Sequence, residues 1–294
     1  MKQFYFLLIC FFLWSSVYTQ NSCLPQGIAF AHQYDIDAFQ ANYPGCTHIE
    51  GNVVVFGDDV FSLGGLSSIK SIGGYLYIGD PYWWTNLRNL DGLQGLTHVS
   101  AGITLQNNPF LRNIEGLSNV ESLGTGSLHI IKNDSLTSLA GLEKIISFEG
   151  ELWIKENYSL LNLNGLLNLT SINNNGFICT LNEMLSDLSG LENMKICNGN
   201  LEIGNNKALK NLDGLGGLNE FIGRVAIYDN QVLTNLEGIE NIPGTNIMSL
   251  TIINNESLTK CHVQSVCDRL AYGVGGLNHI QNNGPGCADY LEVK

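Results

Sequence analysis

Aromatic side chains are the residues of this sequence best suited to recognition chemistry, and three of them are consecutive. Tyr82, Trp83 and Trp84 stand side by side in the stretch "GDPYWWTN". Trp153 is the one further tryptophan beyond residue 20. Because Trp and Tyr are enriched in binding surfaces, the stretch predicts a binding site. The alternative is that Trp83 and Trp84 fold back and pack over the end of a core.

Acids, histidines and cysteines are not arranged in this chain as in a catalytic or metal site. General acid–base chemistry and glycoside hydrolysis need such groups clustered around the reacting bond, whereas this sequence scatters them over separate segments. The sequence has no HExxH, GxSxG, phosphate-binding loop or EF-hand pattern and no zinc-type cysteine spacing. We therefore predict a protein that is not an enzyme and needs no metal ion or cofactor.

A repeat of 24 or 25 residues dominates the chain and must position the aromatic side chains. One whole unit, residues 150–172, reads "GELWIKENYSLLNLNGLLNLTSI". Such units stack, because a single unit cannot bury its own apolar face. The glycine of a recurring Gly-Leu or Gly-Ile pair is predicted to permit a sharp corner in each unit. These glycines are Gly92, Gly116, Gly141, Gly165, Gly190, Gly214 and Gly238.

The Leu-x-Ile element of each unit predicts a short β-strand with alternate residues buried. Trp153 lies between two such inward residues, so it is predicted to point outward. The outward positions of successive strands are Tyr75 and Tyr77, then Thr104, His129, Trp153 and Glu202.

The consecutive aromatic residues do not fit the repeat. Nine steps separate Ile78 from Leu87, where the repeat needs six, so residues 82–84 are predicted to lie in a bulge after a strand. Together with the outward row they form one candidate surface, which suits a sugar ring or a protein. The candidate ligand-binding residues are Tyr75, Tyr77, Tyr82, Trp83, Trp84, His129 and Trp153, with Asp80, Asn86, Gln106 and Glu151 as polar partners.

An asparagine follows each strand at a fixed distance. A column of identical amides is predicted to bond the turn backbone and the asparagine of the next coil, which satisfies polar groups that would otherwise be buried unpaired. The predicted column is Asn108, Asn133, Asn157, Asn182, Asn206, Asn230 and Asn255.

The stacked units predict an all-β solenoid, a β-helix of about nine 24–25-residue coils. A leucine-rich repeat horseshoe is the competing fold, with the signature L-x-L-x-x-N-x-L. In this chain the leucine after the asparagine comes one residue later, and the coils leave no room for an outer helix. The pattern therefore favours the β-helix.

Both ends of the repeat region resemble a known family. Residues 32–55, "HQYDIDAFQANYPGCTHIEGNVVV", are similar to the N-terminal cap of receptor L domains. These are ligand-binding β-helix modules of insulin-receptor and EGF-receptor type proteins, which also occur in bacterial secreted proteins. Residues 261–271, "CHVQSVCDRLA", and 280–293, "IQNNGPGCADYLEV", resemble the C-terminal cap of bacterial members. The resemblance implies a right-handed β-helix with a helix and disulfides at its ends.

The same resemblance suggests roles for the cysteines. For Cys179 and Cys197, which fall at core positions, a pair of buried thiols and a bridge remain alternatives. If both are thiols, three free thiols are expected after denaturation. The resemblance implies the cap disulfides Cys23–Cys46 and Cys261–Cys287. It leaves Cys267 without a partner.

The predicted organisation has four parts. A signal peptide over residues 1–19 precedes an N-terminal cap over 20–50, with a helix from Asp35 to Asn42. The β-helix repeats cover 51–260 and the C-terminal cap covers 261–294. Bacterial members of the family commonly continue past this cap into a sorting domain, so we expect a truncated end in this chain.

The compartment follows from the first residues and the charge. Residues 2–20, "KQFYFLLICFFLWSSVYTQ", read as a secretory signal peptide, and no later segment is long and apolar enough to span a membrane. The formal net charge is −13, and loss of Lys2 with the signal makes it one unit more negative. Such a chain repels nucleic acid and anionic lipid. We predict a secreted or cell-surface protein with no nucleic-acid partner and no transmembrane segment.

The function predicted from these features is recognition or adhesion, with an extracellular protein or glycan as ligand. A structural spacer domain of a surface protein is the first alternative. A β-helix carbohydrate-active enzyme is the second, but basic residues that would hold an acidic polysaccharide are scarce on the strands.

Overall fold

The structure is a computed structural model that describes residues 21–273 and 275–293. The predicted signal peptide, residues 1–19, lies outside the described residues. Short parallel β-strands make up most of the ordered backbone, and helices are few and short.

Strands recur along the whole described part of the chain, whereas the α-helices lie towards its ends. The strands are β1 (Ser22–Cys23), β2 (Ile28–Phe30), β3 (His48–Ile49), β4 (Val53–Val55), β5 (Ser71–Ile72), β6 (Leu76–Ile78), β7 (His98–Val99), β8 (Gly102–Gln106), β9 (Ser127–Ile131), β10 (Ser147–Phe148), β11 (Leu152–Lys155), β12 (Ser171–Ile172), β13 (Gly176–Thr180), β14 (Ile196–Gly204), β15 (Glu220–Tyr228), β16 (Ile247–Ile253) and β17 (Asn278–Gln281). The α-helices are α1 (Gln33–Asp37), α2 (Phe39–Asn42), α3 (Gln264–Tyr272) and α4 (Tyr290–Val293). Short 3-10 turns lie at Gly64–Leu66, Glu115–Leu117, Asn164–Leu166, Asp213–Leu215, Glu237–Ile239 and Gly244–Asn246.

Parallel pairing between successive repeats builds one long sheet. Its strand order is β2-β4-β6-β8-β9-β11-β13-β14-β15-β16-β17. Shorter ladders, β1-β3-β5-β7 and β10-β12-β14, join other parts of the repeats. Strand β14 pairs with both β12 and β13, so this one strand belongs to the short ladder and to the long sheet. The arrangement agrees with the predicted all-β solenoid.

The core lies inside the stack and follows the predicted alternation. In β11 Leu152 and Ile154 are fully buried, whereas Trp153 between them is half-buried on the outer face. The leucines at three-residue steps are also fully buried, as at Leu160 and Leu163. Burying one such side chain stabilises the fold by about 1.5–3 kcal/mol. Residues 43–263, all of which are described, contain no α-helix, so the outer helices of a horseshoe are not found there.

The asparagine column forms a continuous hydrogen-bonded ladder inside the stack. The Nδ2 of Asn157 donates to the carbonyl of Ile130 at 2.8 Å, in the preceding repeat. Its Oδ1 accepts from the backbone N and the Nδ2 of Asn133 at 3.1 and 3.2 Å. All seven predicted members are fully buried. Two residues beyond the predicted column complete its ends, where Thr85 donates to the Oδ1 of Asn108 and Asn283 accepts from Asn255.

The recurring glycines are required mainly by close stacking, which differs from the predicted corner. Gly92 does have a left-handed φ of +112°. Gly165 does not, because it lies within a 3-10 turn. A Cβ at Gly165 would lie 1.8 Å from the carbonyl oxygen of Leu139, and one at Gly92 would lie 2.1 Å from that of Leu63. Only a residue without a side chain allows consecutive repeats to approach this closely.

Helices and disulfides lie near both ends of the described chain. The disulfides join Cys23 to Cys46 and Cys261 to Cys287, the pairs that the family resemblance implied. Among the described residues three cysteines are free, with Cys179 and Cys197 buried and Cys267 half-buried. The burial of Cys179 and Cys197 raises the pKa of each thiol to about 12.

The first helical segment differs from the predicted Asp35–Asn42 helix. It begins two residues earlier, at Gln33, and divides at Ala38 into α1 and α2. The early start has a physical reason. The backbone N of Gln33 donates to Asp59 at 3.2 Å. The side-chain Oε1 of Gln33 accepts from the backbone N of Phe61 and of Ser62, both at 3.0 Å.

Candidate functional site

The outer face of the long sheet places four side chains in one row. Register pairs Tyr77 with Thr104, Thr104 with His129, and His129 with Trp153. These residues lie in β6, β8, β9 and β11, between inward positions of the same strands. Neighbouring strands are about 4.8 Å apart, so Tyr77 and His129 are about 9.6 Å apart along the row.

The short side chain of Thr104 leaves a groove between larger neighbours. Thr104 is buried at the base of this groove, and aromatic rings line the groove on both sides of it. The groove has a volume of about 360 Å³. We call it the aromatic groove, and its lining residues are Tyr75, Tyr77, Thr104, Gln106, Ser127, His129, Ile131, Glu151 and Trp153.

Pairs of rings form both walls of the aromatic groove. The rings of Tyr75 and Tyr77 have centroids 5.4 Å apart and are tilted by 33°. The rings of His129 and Trp153 are stacked, with centroids 4.5 Å apart and planes 20° apart. The Nζ of Lys155 lies 5.0 Å from the centroid of Trp153, which is a cation–π contact. The stacking fixes the His129–Trp153 wall before any ligand arrives.

Burial leaves polar groups of the His129–Trp153 wall without partners. His129 Nε2 lies 3.3 Å from Glu151 Oε1 but outside hydrogen-bond geometry, and this nitrogen and Trp153 Nε1 are buried without a hydrogen-bond partner in the structure. Desolvation lowers the pKa of His129, against the opposing effect of Glu151. The imidazole is therefore mainly neutral at pH 7.

Tyr77 in the opposite wall is also uncharged at neutral pH. Burial raises the pKa of Tyr77 above its ordinary value, and the neighbouring Tyr75 adds to the effect. A phenol that stays protonated keeps one O–H donor and one acceptor for a ligand.

The consecutive aromatic residues lie apart from the aromatic groove, which divides the predicted single surface into two. Asp80 Oδ1 accepts from the backbone N of Tyr82 at 2.8 Å and of Trp83 at 3.2 Å, so it fixes a turn. The side chains of Tyr82, Trp83 and Trp84 are 82, 61 and 46% exposed. The alternative in which both tryptophans pack over the core is therefore not seen. None of the three lines the aromatic groove.

The predicted polar partners are divided in the same way. Gln106 and Glu151 line the aromatic groove. Asp80 is occupied by the turn, and Asn86 donates to the backbone carbonyl of Asp58. Glu202, farther along the outward row, accepts a 2.5 Å hydrogen bond from the hydroxyl of Tyr228.

Some other hollows on the described surface are larger, but no tyrosine or tryptophan lines them. One of about 620 Å³ is lined by Arg224, Met248, Leu277 and their neighbours. The described residues hold no group of three His, Cys, Asp or Glu side chains arranged for a metal ion.

The aromatic groove is suited to binding a flat molecule between its walls. Neutral rings can contact the apolar face of such a ligand, while Gln106, Ser127 and Glu151 offer hydrogen bonds to its edge. Compared with protein-family models, with curated proteins and with solved structures, the chain gives no match.

Proposed function

We propose that this protein is an extracellular recognition module that binds a glycan, without catalysis, through the aromatic groove. The observation that carries the proposal is the gap over Thr104 between two aromatic walls. A sugar ring has an apolar face that can contact an aromatic ring and a polar rim that needs hydrogen bonds. The walls supply the first kind of contact, and the polar lining residues supply the second.

The chemistry of the groove supports binding and not turnover. Glu151 is the one carboxylate among its lining residues. Most glycoside hydrolases need a pair of carboxylates about 5–9.5 Å apart around the scissile bond. The neighbouring His129 is stacked on Trp153, and its Nε2 has no partner in hydrogen-bond geometry.

Two further features support an extracellular setting. The disulfides Cys23–Cys46 and Cys261–Cys287 are typical of exported proteins. None of the helices in the described part of the chain has both the length and the apolar character that a bilayer crossing requires. We propose that the signal peptide read from residues 1–19 directs this export.

We propose, as the finer architecture, a right-handed β-helix of about nine coils closed by helical, disulfide-bonded caps. This is the architecture of receptor L domains, which the end segments resemble. Pairing between successive repeats and the positions of α1, α2 and α3 near the ends support it. In this view the glycan site lies on the sheet of a ligand-binding module.

A protein ligand is the second candidate, and the exposed loop favours it. Tyr82, Trp83 and Trp84 are all solvent-exposed outside the groove, and exposed aromatic residues are frequent anchors in protein interfaces. A structural spacer domain, the remaining alternative, would bind nothing through the aromatic groove or through the Tyr82–Trp84 loop.

Fluorescence tests the proposal directly, because only one tryptophan beyond residue 20 lines the groove. In protein that starts at residue 21, changing Trp83→Phe and Trp84→Phe together leaves Trp153 as the single reporter. We expect a saturable change in Trp153 emission with one class of soluble oligosaccharide. Tyr75→Ala, a change at a partly exposed wall residue, is expected to weaken that binding about tenfold or more.

Trp83→Ala is the matched control outside the groove. We expect it to leave glycan affinity within about twofold, since its ring does not line the site. Glycan binding that Trp83→Ala abolishes and Tyr75→Ala leaves intact would place the site on the loop. No response of Trp153 to any glycan class would refute the proposal.

A further inference from the structure

The aromatic groove contains one carboxylate, Glu151, which forms no ion pair with a lysine or arginine of the described residues. The side chain of Glu151 is 23% exposed, and its one ion-pair contact among the described residues is His129, at 3.3 Å. Some acids elsewhere on the strands and turns are paired with a lysine. Lys132 lies 3.5 Å from Glu156, and Lys144 lies 3.7 Å from Glu121. Glu151 is therefore a partly buried acid of the groove without a lysine or arginine partner, and a bound ligand can supply the cation.

His129 does not supply that cation at neutral pH. Desolvation is the largest effect on this imidazole and lowers its pKa; Glu151 opposes it, and the nearby Lys155 acts in the same direction as desolvation. The Nζ of Lys155 is itself placed over the Trp153 ring. A partly buried carboxylate without a charged partner is costly, and a bound cation relieves that cost.

The walls of the groove favour a cation as well. Tyrosine rings attract an ammonium group through their negative faces. None of the lining residues is a lysine or arginine. The whole chain has a net charge of −13, which attracts cationic polymers and repels acidic ones.

From these contacts we propose that the recognised glycan is cationic, an oligosaccharide whose sugars bear free ammonium groups. This inference rests on the proposed glycan function and specifies its ligand class. One sugar ring occupies the gap over Thr104, and its ammonium group lies between the tyrosine wall and the carboxylate of Glu151. Uronic-acid and sulfated glycans are excluded by the same carboxylate.

Three oligosaccharides of equal length test the charge preference by calorimetry on unmodified protein. They are glucosamine oligomers, which are cationic, N-acetylglucosamine oligomers, which are neutral on the same backbone, and galacturonate oligomers, which are acidic. We expect the cationic oligomer to bind about tenfold or more tighter than the neutral one, and the acidic one not to bind. Raising the salt concentration should reduce the difference between the first two.

A pair of isosteric variants separates the site from the general charge of the protein. Glu151→Gln should bring the affinity for the cationic oligomer close to the affinity of the same variant for the neutral oligomer, whatever the variant's affinity for the neutral one. Glu121→Gln makes the same change in net charge outside the groove, and it should keep the preference. Thermal unfolding checks that both variants are folded.

The outcomes distinguish failure of the cationic-glycan inference from failure of the proposed glycan-binding function. If the neutral oligomer binds as tightly as the cationic one, the inference is wrong and glycan binding stands. If both variants lose the preference equally, general attraction explains it and the inference is again wrong. If no oligosaccharide of any charge binds, both fail. Loss of preference in Glu151→Gln alone supports it.

Discussion

A single asparagine of the buried ladder serves several backbone groups of its neighbours. Asn157 donates through Nδ2 to the carbonyls of Ile130 and Lys155, and its Oδ1 accepts two hydrogen bonds from Asn133. These groups lie where no water reaches, so each depends on the amide. Exposed asparagines also link neighbouring repeats. Asn193 Nδ2, for example, donates to the carbonyl of Leu167 at 2.9 Å, where water can replace it.

Asn157→Ala should therefore cost far more stability than Asn193→Ala. Leaving a buried hydrogen-bonding group unsatisfied costs about 1–3 kcal/mol, and the Asn157 change leaves at least two such groups. We expect a loss of about 3–5 kcal/mol for Asn157→Ala and less than about 1 kcal/mol for the exposed control. Urea unfolding of both variants measures the difference. Equal losses would mean that the ladder contributes no more than surface contacts.

At the scale of the element, parallel register converts a sequence repeat into a row of side chains. The outward row of Tyr77, Thr104, His129 and Trp153 could be predicted, because period-two alternation fixes which residues leave the core. The separation of the Tyr82–Trp84 loop from the groove could not. It depends on the turn held by Asp80, and no repeat pattern specifies that turn.

The ends of the ladder show the same limit. Thr85 starts the ladder with a hydroxyl in place of an amide, so a search for asparagines passes over it. Asn283 ends it in a segment where α3 interrupts the regular spacing. A repeat pattern predicts the structure where successive units have the same residue types at the same spacing. The prediction fails at the ends of the repeat region, where residue type or spacing changes.

The glycine column gives a prediction at this scale. Gly165→Ala places a Cβ 1.8 Å from the carbonyl oxygen of Leu139, so the stacked turns must separate. We expect a loss of about 2–3 kcal/mol in the free energy of unfolding, the upper part of the range for overpacking. Gly64→Ala is the control, because its added Cβ meets only the hydroxyl of Ser62 at 3.4 Å.

Chemical denaturation distinguishes the two roles considered for Gly165, which are the sharp corner predicted from the sequence and the close stacking of repeats. A loss at Gly165 similar to that at Gly64 would contradict close stacking. It would indicate that position 165 needs glycine for neither packing nor conformation, since Gly165 has no left-handed φ.

At the scale of the whole molecule, the stack transmits stability only between neighbours. Strands of the long sheet pair with the next repeat in each direction, and the first and last strands have one partner each. In such repeat structures stability is close to a sum of unit and nearest-neighbour contributions, so unfolding starts at the ends. The disulfides lie where this loss would begin, with Cys23–Cys46 beside β1 and Cys261–Cys287 after β16.

Removal of the second disulfide should therefore loosen one end of the stack and leave its middle intact. Cys261 and Cys287 are 26 residues apart, and closing a loop of that size contributes about 3.5 kcal/mol in the chain-entropy account. In the Cys261→Ser, Cys287→Ser variant we expect faster amide hydrogen exchange in β16 and β17. Exchange in β9 and β11, under the aromatic groove, should be unchanged, and so should glycan affinity. Cys267→Ser, which removes a free thiol of the same region, should leave amide hydrogen exchange unchanged both in β16 and β17 and in β9 and β11. Faster exchange throughout the chain would instead mean that the protein unfolds as one cooperative unit, and that the groove depends on the distant disulfide.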